Sequence, residues 1–185
     1  AQQEKLGKKE KRAKATRESV MELLNVDTIE IEVGYRLVQL LNVEMGGDLL
    51  ERIAQIRRQT ALDLGIVLPS IRVRDNLQLS PNSYQIKLKG VALESGEVYP
   101  ERYLAMCAGD PVGNLAINGI HAIEPAFGLP ALWIEGKDKD LAEMSGYTVV
   151  SASAVISTHI TEVIKKCASE IISRYDVQQL IDNLK

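Results

Sequence analysis

Apolar and charged positions alternate over residues 28–33, with Ile29, Ile31 and Val33 on one side and Glu30 and Glu32 on the other. A period of two is that of a half-buried strand, and Gly34 closes it. The period then lengthens. Leu49, Ile53, Ile56, Thr60 and Leu64 share one face of a helix predicted over 48–64, with Arg52, Arg57 and Arg58 largely off that face. Asp48 and Glu51 have capping-box spacing, and Gly65 stands where a left-handed C′ residue belongs. Alternation returns twice: Ile71 and Val73 against Arg72 and Arg74, then Tyr84, Ile86 and Leu88 against Gln85, Lys87 and Lys89. Asp75-Asn76 and Pro81-Asn82 punctuate these strands, and Ser95-Gly96 marks a further hairpin over about 91–99. The polar faces predict an antiparallel sheet with one side wet.

The pattern changes over 107–148. Gly109, Pro111, Gly113, Gly119, Pro125, Gly128, Pro130 and Gly136 break the chain into short pieces. Strands over about 120–124 and 131–135 and a short helix over 138–144 predict a small α/β subdomain inserted into the first domain. A long helix then runs over about 153–173, striped by Ile156, Ile160, Val163, Cys167 and Ile171. Asp176 and Gln179 have the spacing of another capping box, so 176–185 reads as the start of a truncated helical domain. Residues 1–27 form a charged linker, with Val20, Leu23 and Leu24 as its one apolar patch. The first domain is thus 28–106 with 149–175. Its order, β-α-β-β-α once the insertion is removed, makes the fold class α+β, compatible with a thioredoxin-like or a ferredoxin-like layer of helices on a small mixed sheet.

Composition adds little to this, and charge adds more. The chain has 185 residues, 45% hydrophobic and 25% charged, as in ordinary soluble domains. No apolar run reaches the ~20 residues of a membrane span, and the N-terminus shows no signal-peptide core. Residues 1–26 carry seven basic and four acidic side chains, net +3; the remainder is net −6. A basic tail on an acidic body suits a solvated linker, or contact with anionic lipid or an acidic protein. Nucleic-acid binding is not expected, because the body is acidic and the tail has no aromatic residue.

Chemistry is scarce. Cys107 and Cys167 lie 60 residues apart with no CxxC, which argues against a thioredoxin-type redox enzyme. His121 and His159 do not form a metal-ligand cluster, and His159 is expected to pack and hydrogen-bond within its helix. Gly128 and Gly136 with Lys137 superficially resemble a phosphate loop, but the spacing is wrong and Asp138 follows the lysine. No nucleophile elbow is present. No cofactor, metal or catalytic group is expected.

What stands out is the stretch 119–135, which holds the only phenylalanine, Phe127, and the only tryptophan, Trp133. Phe127 lies between Pro125 and Pro130, so its backbone is constrained and little entropy is lost when a partner docks. It is either an interface anchor or core filling for the small subdomain. Trp133, in an apolar strand, is expected in the core.

Several motifs resemble the FlhA family of flagellar type III export-gate proteins, related to the InvA proteins of virulence injectisomes. They are Leu50-Glu51-Arg52-Ile53 with Ile56-Arg57-Arg58-Gln59, Arg72-Val73-Arg74-Asp75-Asn76-Leu77, and the run from Pro125 through Phe127 and Trp133 to Ile134. Gly146-Tyr147-Thr148-Val149-Val150 and Thr158-His159-Ile160 follow in order. The resemblance covers about 28–185 and implies a non-enzymatic protein: the linker and first two cytoplasmic domains of a gate whose full-length form is a membrane-embedded homo-oligomeric ring. It implies a thioredoxin-like first domain without redox function, and a place on the cytoplasmic face of the bacterial inner membrane. Expected partners are export chaperones with their cargo, components of the export ATPase complex, and other export-gate subunits; the piece alone is expected to be monomeric. Phe127 and Thr158 match positions implicated in chaperone docking, and Glu124 an acidic one that is Asp in some relatives, with Pro125 beside it. The alternatives are a virulence injectisome gate and, in another class, a thioredoxin-like redox enzyme.

Overall fold

The computed structural model describes residues 28–65, 67–106, 117–171 and 181. The expected linker, with Val20, Leu23 and Leu24, the capping box at Asp176 and Gln179, and Cys107 lie outside them. The architecture is mixed α+β with two four-stranded sheets.

The first sheet is built as the alternation predicts. β1 (Ile29–Val33) buries Ile29, Ile31 and Val33 and turns Glu30 and Glu32 outward. β2 (Ile71–Asp75) and β3 (Ser83–Leu88) flank it, and β4 (Val91–Glu97) completes the order β2-β1-β3-β4. The sheet is mixed, as the β-α-β-β-α order allows and not purely antiparallel as the polar faces suggest: β1 and β2 run parallel, joined by a crossover through α1 (Leu49–Leu64). Its wet face carries a charge ladder in which Arg74 pairs with Glu30 at 2.9 Å, and Lys87 and Asn76 share the two oxygens of Glu32.

The hairpin prediction at Ser95-Gly96 is wrong. The β3–β4 turn is Lys89-Gly90, both with positive φ (49° and 81°), as a two-residue hairpin loop requires. Gly96 lies within β4 opposite Tyr84, where a Cβ would come within 2.5 Å of the tyrosine hydroxyl. That glycine makes room for a buried ring.

α1 buries Leu49, Ile53, Ile56 and Thr60, and ends at Gly65 in the left-handed conformation (φ 66°). The expected capping box does not form, because the Asp48 carboxylate makes no cap and pairs with Arg52 Nε at 2.6 Å. Leu64 shares the predicted face but stays 43% exposed.

The second sheet, in the order β6-β7-β5-β8, is antiparallel throughout. β6 (Gly119–Ile123) and β7 (Pro130–Ile134) match the predicted strands within a residue; β5 (Tyr103–Met106) and β8 (Thr148–Ser151) were not anticipated. Leu104 and Trp133 face a core shared with the first sheet and α3 (Ala152–Lys166), while Ala105, Leu132 and Ile134 face a smaller cluster with Ala142 of α2 (Lys139–Met144). Trp133, 1% exposed, is core as expected. The predicted long helix is interrupted: α3 ends at Lys166 with Cys167 as its C-cap, and a separate helical turn covers Ala168–Ile171.

Candidate docking site

The β6–β7 connection is a turn organised by one carboxylate. Glu124 is 2% exposed. Its Oε1 accepts from the Ala126 amide at 2.9 Å and its Oε2 from the Phe127 amide at 2.8 Å. Its own N–H donates to the Leu129 carbonyl, and its carbonyl accepts from Gly128. Pro125 removes one amide from the turn and fixes its φ, while Gly128 supplies the left-handed residue (φ 70°) that brings the chain back into β7. The outcome is a ring held out in solvent: Phe127 is 60% exposed. Of its two sequence readings, core filling is excluded.

Thr158 is exposed on α3 and lines a groove of about 530 Å³ between α1 and α3. Ile56, Leu62 and Leu64 supply apolar wall, and Arg58 and Lys165 supply positive charge. Phe127, Glu124 and Pro125 do not line this groove. Phe127 and Pro125 belong to an exposed turn, Thr158 lines the groove, and Glu124 is buried under the turn.

His159, next to Thr158, is 1% exposed, and its Nδ1 lies 2.7 Å from the Tyr84 hydroxyl. Burial pushes the Tyr84 phenol far above its ordinary range, and the Glu124 and Glu94 charges push it the same way. Burial also holds the His159 imidazole below its usual value, against the pull of Glu94 and Glu124 toward the protonated form. The sequence had placed His159 as a packing and hydrogen-bonding residue. What the sequence could not reveal was its neighbours, Tyr84 and Glu94, 75 and 65 residues earlier in the chain.

Cys167 is a free thiol whose pKa is raised, first by burial and then by Glu170 and Glu94, the reverse of an activated nucleophile. Among the described residues no group of His, Cys, Asp and Glu is placed to hold a metal ion, and no helix is long and apolar enough to cross a membrane.

With that geometry in place, the comparisons with known proteins agree with one another. The FHIPEP family model matches residues 1–185. The flagellar biosynthesis protein FlhA of Bacillus subtilis is 53% identical over 91% of this chain and 24% of its own length. That of Helicobacter pylori is 45% identical over 90% of this chain and 22% of its own. The chain thus spans about a quarter of the length of these relatives. In fold it is similar to the CdsV protein in the Chlamydia pneumoniae CdsV–CdsO complex, with a TM-score of 0.72 and 22% identity over 86% of this chain and 50% of that one.

Proposed function

This chain belongs to the FHIPEP family, and from that premise we propose that it is a cytoplasmic portion of a flagellar type III export gate that docks export chaperones carrying their cargo. The single observation that carries the docking role is Phe127, a large aromatic side chain 60% exposed on a turn whose backbone is fixed from below by Glu124. A pre-ordered aromatic contributes contact area at little entropic cost, which is how interface anchors work. The role is binding and not catalysis, in keeping with the deactivated thiol of Cys167. The order β2-β1-β3-β4, with only β3 antiparallel to the rest, supports a thioredoxin-like reading of the first sheet that keeps the scaffold without the redox pair.

Components of the export ATPase complex and neighbouring gate subunits are further partners on this reading. The full-length protein is placed in the bacterial inner membrane as a ring, with these domains on its cytoplasmic face. A flagellar rather than an injectisome gate is favoured by the 53% identity to a flagellar relative. The test is an amide NMR titration of the labelled chain with a cognate chaperone–cargo complex, beside a folded Phe127→Ala variant. Shifts centred on the 124–129 turn and Thr158 that vanish in the variant are expected. Shifts confined to residues 1–27, or an unaltered response of the variant, would overturn the site.

A further inference from the structure

A second cavity, of about 290 Å³, opens where the short 3-10 helix Tyr35–Leu40 after β1 meets the turn before β3 and the β4–β5 connection. Backbone hydrogen bonds tie these three pieces into one cradle. Gly34 and Arg36 donate their amides to the Ser83 and Pro81 carbonyls at 2.8 and 3.1 Å, and Val98 donates to the Asn82 carbonyl at 2.9 Å. Gly34 permits that approach, since a Cβ there would collide with the Ser80 and Pro81 carbonyls. The β4–β5 side is a turn over 99–102, closed by the Arg102 amide on the Tyr99 carbonyl at 3.0 Å, with Pro100 at its second position. Tyr99 is fixed in turn, edge-on to the buried Trp133 ring with centroids 5.7 Å apart, its hydroxyl donating to Glu97 at 2.8 Å.

The cavity is lined by Arg36 and Arg102, with Asn82 and Glu101 beside them. Neither arginine, nor Glu101, takes part in an ion pair among the described residues. Asn82 Oδ1 is buried and accepts no hydrogen bond, a state that costs stability until a donor reaches it. This set of groups narrows the ligand. Two guanidinium forks call for an anion and match the planar carboxylate. Asn82 Oδ1 calls for a donor close to that anion, which a phosphate dianion does not carry. Glu101 adds a negative charge at the same cavity, which weighs further against a doubly charged ligand. A Glu or Asp residue in a peptide meets both demands, with a side-chain carboxylate and a backbone N–H a few bonds apart.

We propose that this cavity is a recognition pocket for an acidic residue of a partner protein, whose carboxylate pairs with Arg36 and Arg102 while its backbone N–H donates to Asn82 Oδ1. None of Phe127, Glu124, Pro125 and Thr158 lines it, so the pocket is a contact separate from the proposed docking turn.

The test titrates the labelled full chain with the capped tripeptide acetyl-Gly-Glu-Gly-amide up to about 20 mM, a range suited to so small a ligand. The Gln counterpart and inorganic phosphate are run beside it. Saturable shifts are expected at the Asn82 side-chain amide and at the Arg36 and Arg102 Nε–H resonances. The Gln peptide should bind about tenfold more weakly, as loss of a charged acceptor implies. Arg36→Gln and Arg102→Gln should each weaken the Glu peptide to a similar degree. Asn82→Ala separates recognition from architecture: removing an unsatisfied acceptor should leave Tm unchanged or higher while peptide affinity falls. No saturable shift, equal binding of the Gln peptide, or wild-type affinity in the arginine and Asn82 variants would overturn the proposal. Phosphate competing as strongly as the peptide would also sink it, because the cavity would then be a general anion site. Phe127→Ala should bind the tripeptide as the wild type does, so failure of this pocket and failure of the docking turn are told apart.

Discussion

Glu124 offers the sharpest test of how this surface works, because it is too buried to be touched. At 2% exposure its carboxylate can influence a partner only by shaping the turn that presents Phe127. Glu124→Ala removes two hydrogen bonds to a charged acceptor, each contributing on the order of 1.5–3 kcal/mol. The full sum is not expected. The Phe127 amide belongs to an exposed residue and regains water once the turn opens, and removing the carboxylate also relieves its own desolvation. A net loss of about 2 kcal/mol follows. Urea unfolding would measure it, and hydrogen exchange would localise it to the Ala126 and Phe127 amides. A loss under about 0.5 kcal/mol with unchanged protection at Phe127 would refute the idea that the carboxylate holds the turn.

Binding sharpens the same argument. If Glu124 acts only through Phe127, Glu124→Ala and Phe127→Ala should each weaken chaperone–cargo affinity, and the double variant should be little worse than Phe127→Ala alone. A residue contacting the partner independently would give additive losses. Additivity would therefore sink the positioning role even if the stability effect came out as expected.

Other expectations come from the same geometry. Gly96→Ala places a Cβ 2.5 Å from the Tyr84 hydroxyl and should cost about 1–3 kcal/mol in a denaturant titration, with fold retained. Because burial lowers the folded pKa of His159 below its unfolded value, the unfolded chain binds more protons in that interval. The stability His159 contributes is therefore fully present above the ordinary histidine range and is lost as pH falls through the folded pKa. Thermal melts of the wild type should show that loss, and His159→Asn should flatten it. In a Cys107→Ser variant, the remaining Cys167 thiol should react with a disulfide probe more slowly at neutral pH than a free cysteine, then at the free rate in denaturant, since burial raises its pKa.

The elements that sequence pattern revealed are those whose two faces differ. β1 and β3 alternate because one side meets the core and the other carries the Glu30, Glu32 and Lys87 ladder, and α1 shows its stripe for the same reason. β5 is central in the second sheet, with Leu104 in one core and Ala105 in the other, so it has no polar face and no period to read. Gly96 misled because a glycine needed for close approach looks the same in sequence as one needed for a turn. Strand direction is not carried by alternation: β2 runs parallel to β1 because α1 crosses between them, which the element order, and not the polar faces, indicates.

At the site the division is similar. Phe127 was conspicuous as the only phenylalanine, but composition left open whether it fills a core or faces solvent. The choice is made by Glu124, which takes the two amides that would otherwise seek partners and so turns the ring outward. Thr158 lines the α1–α3 groove and Phe127 stands on the β6–β7 turn, and nothing in their spacing of 31 residues relates the two. On the proposed docking role, Phe127 and Glu124 contribute in two physical ways. Phe127 offers area for contact. Glu124 offers none, and its effect on binding has to pass through the geometry it imposes on its neighbour, so the two should be separable by a double-mutant cycle though they sit three residues apart.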